Sequence, residues 1–384
     1  MPSINFPAWP DRVVIEESAP CAVAKEVTKR HAERIFLMMS ATLSRNADLT
    51  RALRAALGEK IAVIYTGVRQ HSPLPDVLAA SRAARAARPD ILVSLGGGSV
   101  IDATKIIQYC LAADIVDETQ FEELTTAQSL KTAAKHASLA HVCVPTTLSG
   151  AEFTFFAAVR DSTTGHKQAF VDPKLLPRTV IFDAALTQLT PRTLWLSSGI
   201  RAVDHAVEGI CSARCHPFAQ VLAERGVAQL ASGLARNMLA PDDLASRAES
   251  QFAAWYASVP LSSGVTMGAS HAIGHALGGI FDVPHGITSC VVLPAVMQFN
   301  FDTVPGRLGI VARALGGRRG DDAPDLVRRM IAELSLPTRL SDIGLHEGVF
   351  PKIAEATMCE GWIKTNPRPI KNKEDVMEIL RLAA

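Results

Sequence analysis

The sequence has little of the features that mark several other classes of protein. Its 39 Lys and Arg are balanced by 38 Asp and Glu with no basic block, which excludes the clustered positive charge that nucleic-acid binding needs. No uninterrupted apolar run reaches the roughly 18 residues of a membrane span. The 48% of hydrophobic residues is too high for a disordered chain. We therefore expect a soluble, folded protein with no nucleic-acid or membrane partner, long enough for two domains.

Cysteine is also scarce. The seven cysteines are odd in number, scattered and mostly set in apolar contexts, as at Cys110, Cys143 and Cys290. This predicts reduced, buried thiols in a cytoplasmic protein. The N-terminus has acidic residues and prolines where a signal peptide needs a basic end and an apolar stretch, so we expect no export. Cys211 and Cys215, four apart on a predicted helix, leave a metal or redox pair open.

The first half of the chain alternates strand-like and helix-like segments. The strand-like runs are RVVI, IFLMM, KIAVIYTGV and DILVSLGGGS, and the helical runs between them include AVAKEVTKRHAER, LTRALRAALG and LPDVLAASRAARAA. Such alternation predicts βαβ units and a doubly wound, mostly parallel sheet. After HVCVPTT, a hairpin with its turn at residues 162–165 and a closing strand, RTVIFDA, are expected.

The second half reads as successive helices. Apolar residues recur at helical spacing, for example at Ile200, Val203, Val207 and Ile210, and strand signals nearly vanish after Thr190. We predict an α/β domain over residues 1–187 and an all-α domain over residues 188–384. The cleft between two such halves is the natural place for a ligand.

A glycine-rich loop follows the strand in DILVSLGGGSVIDATK. Gly96, Gly97 and Gly98 let backbone N–H groups approach an anion, and the helix that follows presents the positive end of its dipole. This is typical of a pyrophosphate site, although the spacing is not G-x-G-x-x-G. Ser99 and Asp102 also match a capping box, so part of the pattern is how a helix begins after a strand.

A second loop, PTTLSGAE, also follows a strand. It offers the hydroxyl groups of Thr146, Thr147 and Ser149, with Gly150 making room. Alone it would be read as a Ser/Thr-rich turn. Because both loops leave the carboxyl ends of strands, however, they are expected to converge on one dinucleotide.

Polar side chains recur at helical spacing in two segments of the second half. The first segment has Arg201, His205 and Glu208 at i, i+4 and i+7, and the second has His271 and His275 at i, i+4, followed by His285 in the loop VPHG. Such groups can form a metal site or a polar catalytic floor. Each histidine taken singly would instead be read as a hydrogen-bonded structural residue.

The motifs GGGSVIDATK, PTTLSGAE, SGIRAVDHAVEG and HAIGHALGGIFDVPHG, in this order, resemble the iron-containing alcohol dehydrogenase superfamily over nearly the whole chain. PTTLSGAE, YTGVRQHSP and TNPRPI are similar to its maleylacetate reductase branch. The resemblance implies a dehydroquinate synthase-like architecture and a homodimer. It also implies a cofactor site that comprises Gly97, Gly98, Ser99, Asp102, Thr146, Thr147 and Ser149.

The resemblance implies roles for the histidines as well. His205, His271 and His285 match three metal-binding histidines of the family, and His275 matches the histidine near the nicotinamide. The family's fourth ligand is an Asp four residues before the first histidine, and this chain has Arg201 there. A guanidinium cannot coordinate a cation and repels it, so bound zinc or iron is doubtful. Asp204 is expected to point about 100° away from its neighbour on the helix and not to substitute.

Arg201 has two interpretations. It grips a substrate carboxylate in a bidentate pair, or it pairs with Asp204 at i+3 on the helix surface. The first implies a small carboxylate substrate. The resemblance to the maleylacetate reductase branch then implies reduction of maleylacetate to 3-oxoadipate. In that reaction Arg201, His205, His271 and His285 are expected to stabilise charge on the carbonyl oxygen, and His275 to donate the proton.

Two alternatives to this function stay open. The first is an iron- or zinc-dependent alcohol or aldehyde dehydrogenase of the same superfamily, and the second is a nucleotide-binding protein without catalysis. The cofactor is expected to be NADH or NADPH. After the strand IFLMM the chain offers Ser40, Thr42, Ser44 and Arg45, with no acidic residue to reject a 2′-phosphate.

Overall fold

The computed structural model describes residues 9–15, 17–121, 139–161, 167–318 and 320–384. The chain divides into two compact units. One contains the described residues up to Thr147 together with Ala151–Thr190, and the other contains Leu148–Gly150 and Pro191–Ala384. The main division thus falls after Thr190, whereas the sequence pattern predicts it after residue 187.

The first unit is an α/β structure. In its described part, six strands form one parallel sheet in the order β1-β8-β5-β4-β2-β3, and β6 and β7 form a separate antiparallel pair. The strands are β1 (Arg12–Val14), β2 (Ile35–Met39), β3 (Ile61–Tyr65), β4 (Ile91–Gly96), β5 (Ala140–Pro145), β6 (Phe156–Arg160), β7 (Lys167–Val171) and β8 (Thr179–Ile181). The helices are α1 (Ala19–Lys29), α2 (Ala41–Ser44), α3 (Ala47–Leu57), α4 (Leu74–Ala87), α5 (Gly98–Ala112) and α6 (Ala184–Thr187). The predicted parallel sheet and hairpin strands are confirmed, and the predicted turn at 162–165 lies outside the described residues.

Strand β2 shows why the sheet carries helices on both faces. Successive side chains of a strand point to opposite faces, so a fully apolar strand needs a core on each side. Phe36 and Met38 belong to a core with residues of α4 and α5, whereas Ile35, Leu37 and Met39 belong to a core with residues of α1 and α3. The run IFLMM therefore predicts a central strand between two layers of helices.

The second unit is helical. No strand occurs among the described residues after Pro191, as the sequence pattern predicts. The helices are α7 (Arg192–Cys211), α8 (Pro217–Leu239), α9 (Leu244–Ser262), α10 (Ala269–Phe281), α11 (His285–Phe299), α12 (Pro305–Ala314), α13 (Ala323–Glu333), α14 (Phe350–Met358) and α15 (Lys373–Leu382). Short 3-10 helices in the two units are Gly58–Lys60, Ala151–Phe153, Pro173–Leu175, Ser341–Ile343, Glu347–Val349 and Gly361–Thr365. Across the described residues, no helix combines the length and apolar character required to cross a bilayer.

Helix α7 is the central helix of this unit. Every residue from Trp195 to Cys211 is buried, and α8, α9 and α11 pack around it. The approach of α11 is so close that a Cβ atom on Gly286 would lie 2.5 Å from the carbonyl carbon of Ser197. A helix buried on all sides carries its polar side chains into the interior, where each needs a hydrogen-bond partner. The polar side chains of α7 and the groups that contact them form the candidate site.

Candidate active site

The two predicted cofactor loops leave adjacent strands at the same edge of the sheet. Gly96, the last residue of β4, pairs with Pro145, the last residue of β5. Behind them Gly97 lies so close to Thr147 that a Cβ atom would be 2.9 Å from its Cγ2 atom. The Thr147 hydroxyl is buried and makes no hydrogen bond within the described structure. A glycine backbone beside an unsatisfied hydroxyl forms a cradle that fits an anionic group.

The start of helix α5 supports this assignment. Gly97 is its N-cap and supplies no side chain, so no N-cap side chain accepts from the amides of the first turn. The predicted capping box of Ser99 and Asp102 is wrong, because Ser99 lies inside the helix and its Oγ accepts from the backbone N–H of His71. Gly98, Ser99 and Asp102 all lie in the first turns of the helix, and the positive end of its dipole suits an anion.

The second loop is divided between the two units. Thr146 is buried, and its backbone joins the Gly96 carbonyl and the Thr190 hydroxyl in hydrogen bonds of 3.0 and 2.7 Å. Thr147 belongs to the same unit. Ser149 belongs instead to Leu148–Gly150, which groups with the helical unit and is tied there by a bond from the Leu148 amide to Ser198 Oγ. The assignment of Ser149 to the cofactor stays a prediction.

Lys105, on α5, is a residue that the sequence reasoning missed. Its side chain is fully buried, and Nζ donates hydrogen bonds of 2.6–2.7 Å to the carbonyl oxygens of Ala151, Thr154 and Phe156. Desolvation by burial lowers the pKa of Lys105. One ammonium group thereby fixes the chain that follows the second loop. The signal in the sequence was a charged residue inside the apolar run VIDATKIIQYC.

Glu208 organises the start of helix α10. Its carboxylate lies on buried helix α7 and accepts hydrogen bonds from the amides of Gly268, Ser270 and His271 at 2.8–3.4 Å. It also lies 2.6 Å from Nδ1 of His271. Burial raises the pKa of Glu208, and the backbone hydrogen bonds oppose that shift. A carboxylate at a helix N-terminus is stabilised by the helix dipole, so α7 caps α10 and orients its first histidine.

Arg201 and Asp204 form a buried ion pair. Nη1 of Arg201 lies 3.2 Å from Oδ2 of Asp204 and donates a second bond, also 3.2 Å, to Ser289 Oγ. Asp204 accepts further bonds from the hydroxyls of Ser270 and Ser289. The pairing at i+3 was foreseen, but its location on the helix surface is wrong, because Arg201 is only 8% exposed and Asp204 is fully buried.

The expectation that Asp204 points away from the site is also wrong. Its Oδ1 atom lies 3.8 Å from Nδ1 of His271, and ligand-type atoms of Asp204, Glu208 and His271 all lie within 4.8 Å of one another. The neighbour rule on one helix does not account for a partner that arrives from another helix. Here α10 brings His271 to the face of α7 on which Asp204 lies.

The histidines of the predicted site come together as two pairs. The rings of His205 and His271 have centroids 4.9 Å apart, and those of His275 and His285 are 5.9 Å apart. Burial lowers the pKa values of His205 and His271 well below 6.5, and the positive charge of Arg201 lowers both further. Both imidazoles are therefore neutral near pH 7. Because Nδ1 of His271 donates to Glu208, its Nε2 atom is an acceptor and cannot donate to a carbonyl oxygen.

His275 has a partner that no sequence pattern indicated. Its Nδ1 lies 3.0 Å from Oε2 of Glu360, which precedes the 3-10 helix Gly361–Thr365. The two side chains are 16% and 12% exposed. Glu360 lies in the short loop segment CEG, where nothing in the local sequence distinguishes it from a solvated surface residue.

The residues present do not fit a tightly bound divalent metal. His271 Nε2 and His205 Nδ1 are buried and make no hydrogen bond with described residues, so two lone pairs exist for coordination. Of the carboxylates nearby, Glu208 holds the start of α10, and Asp204 binds Arg201 through Oδ2, while its Oδ1 atom makes no hydrogen bond with described residues. The guanidinium of Arg201 stands in the same cluster and opposes a second positive charge. The expected doubt about zinc or iron therefore has a structural basis.

The metal or redox pair that the spacing of Cys211 and Cys215 left open finds no support. The seven cysteines, all within the described part of the chain, are free thiols. Burial raises the pKa of Cys211 to about 12 and also raises that of Cys215. Thiols with raised pKa values carry little of the thiolate that metal binding and redox exchange require.

Comparisons with known proteins agree with this fold. The family model described as iron-containing alcohol dehydrogenase matches residues 10–184, and that described as Fe-containing alcohol dehydrogenase family, C-terminal, matches residues 195–384. Dehydrogenase ALT3 of Alternaria alternata is 32% identical, over 91% of this chain and 98% of its own. Maleylacetate reductase 2 of Cupriavidus pinatubonensis is 31% identical, over 98% and 95%. The crystal structure of maleylacetate reductase from Agrobacterium tumefaciens covers 100% of this chain and 98% of its own, with 27% identity and a TM-score of 0.81.

The fold, the buried polar cluster and these relatives define an oxidoreductase with a dehydroquinate synthase-like architecture, as the resemblance implies. The chain belongs to the iron-containing alcohol dehydrogenase family and is similar to its maleylacetate reductase branch. The predicted family is therefore confirmed. Membership also sets aside the alternative of a nucleotide-binding protein without catalysis.

Proposed function

We propose that this oxidoreductase reduces a carboxylate-bearing enone, with maleylacetate to 3-oxoadipate as the leading reaction and NADH or NADPH as the reductant. The observation that carries the proposal is Arg201, a buried guanidinium at the position where the family resemblance implies an acidic metal ligand. Names alone do not select the substrate, because the relatives include dehydrogenases as well as maleylacetate reductases.

Arg201 has the chemistry to bind such a substrate. Its hydrogen bonds to the described residues use Nη1, which leaves Nη2 and Nε for a ligand. Asp204 and Ser289 fix the guanidinium before substrate arrives, so little conformational entropy is lost on binding. A pre-oriented guanidinium suits a carboxylate and also favours negative charge that develops on a nearby carbonyl oxygen.

The reaction adds a hydride and a proton across the double bond. The reduced nicotinamide, when bound, supplies the hydride. Negative charge then builds on the oxygen of the conjugated ketone, and the positive charge of Arg201 stabilises it. The adjacent carbon must still receive a proton. His205 and His271 are neutral and buried, so we assign this step to His275, which is the more exposed histidine of α10.

Replacement of His275 tests this assignment. His275→Ala is expected to lower kcat for maleylacetate by 100-fold or so, as loss of a general acid does, with a smaller effect on KM. The measurement is steady-state nicotinamide oxidation at saturating cofactor. His346→Ala is the matched control, since His346 is an exposed histidine of the same unit. An unchanged kcat in His275→Ala would remove His275 from the mechanism.

A second candidate function is a zinc- or iron-dependent alcohol or aldehyde dehydrogenase. The observation in its favour is a pair of buried nitrogen atoms, Nδ1 of His205 and Nε2 of His271, that make no hydrogen bond with any described residue. One assay separates the two: nicotinamide oxidation with maleylacetate or with short aldehydes, before and after chelation. We expect turnover of maleylacetate that chelation does not change. Aldehyde turnover that is lost on chelation and restored by zinc or iron would favour the second function.

We further propose a cytoplasmic homodimer, which follows from the free thiols and from the family resemblance. Light scattering on the purified protein tests the dimer, and a mass of one chain, 41.1 kDa, at micromolar concentration would refute it.

A further inference from the structure

Two histidines of helix α10 are held by the same kind of contact, a carboxylate at Nδ1. His271 places Nδ1 against a carboxylate oxygen of Glu208, which comes from α7. One turn later, His275 places Nδ1 against a carboxylate oxygen of Glu360, which is 85 residues further along the chain. Both rings therefore meet a carboxylate at the same ring nitrogen, although the two carboxylates come from unrelated elements.

The two pairs differ in burial. The side chains of His271 and Glu208 are 4% and 6% exposed, and the ring of His271 is held wholly within the protein. The side chains of His275 and Glu360 are 16% and 12% exposed. His275 can thus exchange a proton with a ligand, while its hydrogen bond to Glu360 is shielded enough from water to keep its geometry.

A carboxylate at Nδ1 decides which ring nitrogen carries the proton. An ionised carboxylate only accepts hydrogen bonds, so Nδ1 of His275 must donate to Glu360. The neutral ring then has its lone pair on Nε2, and the protonated ring has a second N–H group there. The bond also fixes the ring plane, because rotation about the side-chain torsions would break it.

We propose that Glu360 is a positioning residue for the reduction, one that holds His275 with Nδ1 protonated and Nε2 as the proton-exchanging atom. The inference rests on the proposed function, in which His275 protonates carbon. The Nε2–H bond breaks as the new C–H bond forms, and its electron pair stays on Nε2. His275 is left neutral with Nδ1–H still bonded to Glu360, and solvent returns the proton.

The first test reads the tautomer directly. Long-range ¹H–¹⁵N correlation spectra of the full-length enzyme labelled at histidine report which ring nitrogen carries the proton, and a His275→Gln variant assigns the signal. We expect Nδ1–H in the wild-type protein, and loss of that preference in Glu360→Ala. Glu360→Gln should keep it, because an amide oxygen still accepts from Nδ1. An unchanged tautomer in Glu360→Ala would overturn the proposal.

The second test is kinetic. Loss of an orienting carboxylate is expected to lower kcat for maleylacetate about 10- to 100-fold, with KM changed by less than about threefold. Glu355→Ala is the matched control, because Glu355 is an exposed carboxylate of α14 paired with Lys373. A double variant, His275→Ala with Glu360→Ala, should be no slower than His275→Ala alone. Losses that instead multiply would show that Glu360 acts independently of His275 and overturn the proposal.

The two tests distinguish failure of the inference from failure of the proposed function. Absence of turnover with maleylacetate would refute the proposed substrate, whereas the tautomer of His275 would still decide whether Glu360 positions the ring. Turnover that survives His275→Ala would refute both the proton donor and the kinetic role of Glu360.

Discussion

Replacement of Arg201 by Met separates the structural role of this side chain from its role toward substrate. Met keeps the length of the stem but removes the charge and the two hydrogen bonds that Nη1 donates. Among the described residues, Asp204, which is fully buried, then keeps its hydrogen bonds from the hydroxyl groups of Ser270 and Ser289. A carboxylate buried without its cation is among the costly states of a protein interior.

The size of the effect follows from the burial of the pair. Breaking a buried ion pair by removal of one partner costs about 3–5 kcal/mol. Since two hydroxyl bonds to Asp204 remain, we expect the lower end, about 3 kcal/mol of unfolding free energy. For a unit of this size that corresponds to a fall in Tm of about 6–12 °C. Without Arg201, Asp204 takes up a proton more readily, so the loss should be smaller at pH 5 than at pH 8.

A second substitution separates the effect of losing Arg201 on stability from its effect on activity. Adding Asp204→Asn to Arg201→Met removes the buried negative charge while keeping an oxygen that accepts from Ser270 and Ser289. The double variant should regain about 2 kcal/mol of unfolding free energy relative to Arg201→Met. It should not regain activity: kcat/KM for maleylacetate should stay about 10- to 100-fold below wild type, as loss of a charged hydrogen bond implies.

The assays are urea unfolding followed by circular dichroism and steady-state nicotinamide oxidation. Recovery of both stability and kcat/KM in the double variant would show that Arg201 only neutralises Asp204, and the proposed substrate binding would fail. Equal stability of Arg201→Met and wild type would refute the reading of the pair as a buried ion pair.

Three further predictions concern the α/β unit. Burial raises the pKa of Glu152 from 4.5 to about 7, so the folded state binds a proton more tightly than the unfolded state, and the unfolding free energy should fall by about 3 kcal/mol as pH rises from 4.5 to 7. Urea unfolding of Glu152→Gln at pH 5 and 8 should lack that part of the fall. Identical pH profiles of the variant and the wild type would contradict this. Lys105→Met removes the Nζ donor shared by three carbonyl groups, of which that of Ala151 keeps bonds from Thr154, and should lower the unfolding free energy by about 2–4 kcal/mol. An unchanged urea midpoint would count against the anchoring role. NADPH should serve nearly as well as NADH, because Ser40 caps α2 directly after β2 and no acidic residue follows up to Arg45 to reject the 2′-phosphate of NADPH. A 1000-fold preference for NADH in kcat/KM, about 4 kcal/mol, would refute this.

Local patterns predicted most of the fold. A run such as IFLMM is apolar at every position, which requires burial on both faces, and strands that alternate with single helices favour parallel pairing. The glycine loop and PTTLSGAE were placed together because parallel strands end at a common edge. The capping box at Ser99 failed because the spacing of a cap is also compatible with a helix that begins two residues earlier.

The candidate site was predicted less completely. Arg201, His205, His271, His275 and His285 were all named from spacing, and the structure gathers the histidines in two pairs. Their partners were not predictable in the same way. The bonds from α10 to Glu208 span 60–63 residues, and the bond from His275 to Glu360 spans 85. No periodicity of one helix contains information about a carboxylate that another element supplies.

The sequence by itself determined the sheet, the helical second half, the family and the residues that carry charge in the site, because these follow from periodicity and from short motifs. Only the tertiary structure decided the state of those charges. Burial of helix α7 on all sides makes Arg201 and Asp204 an internal pair and keeps His205 and His271 neutral. Desolvation depends on everything packed around a side chain, and that is a property of the folded chain rather than of any segment.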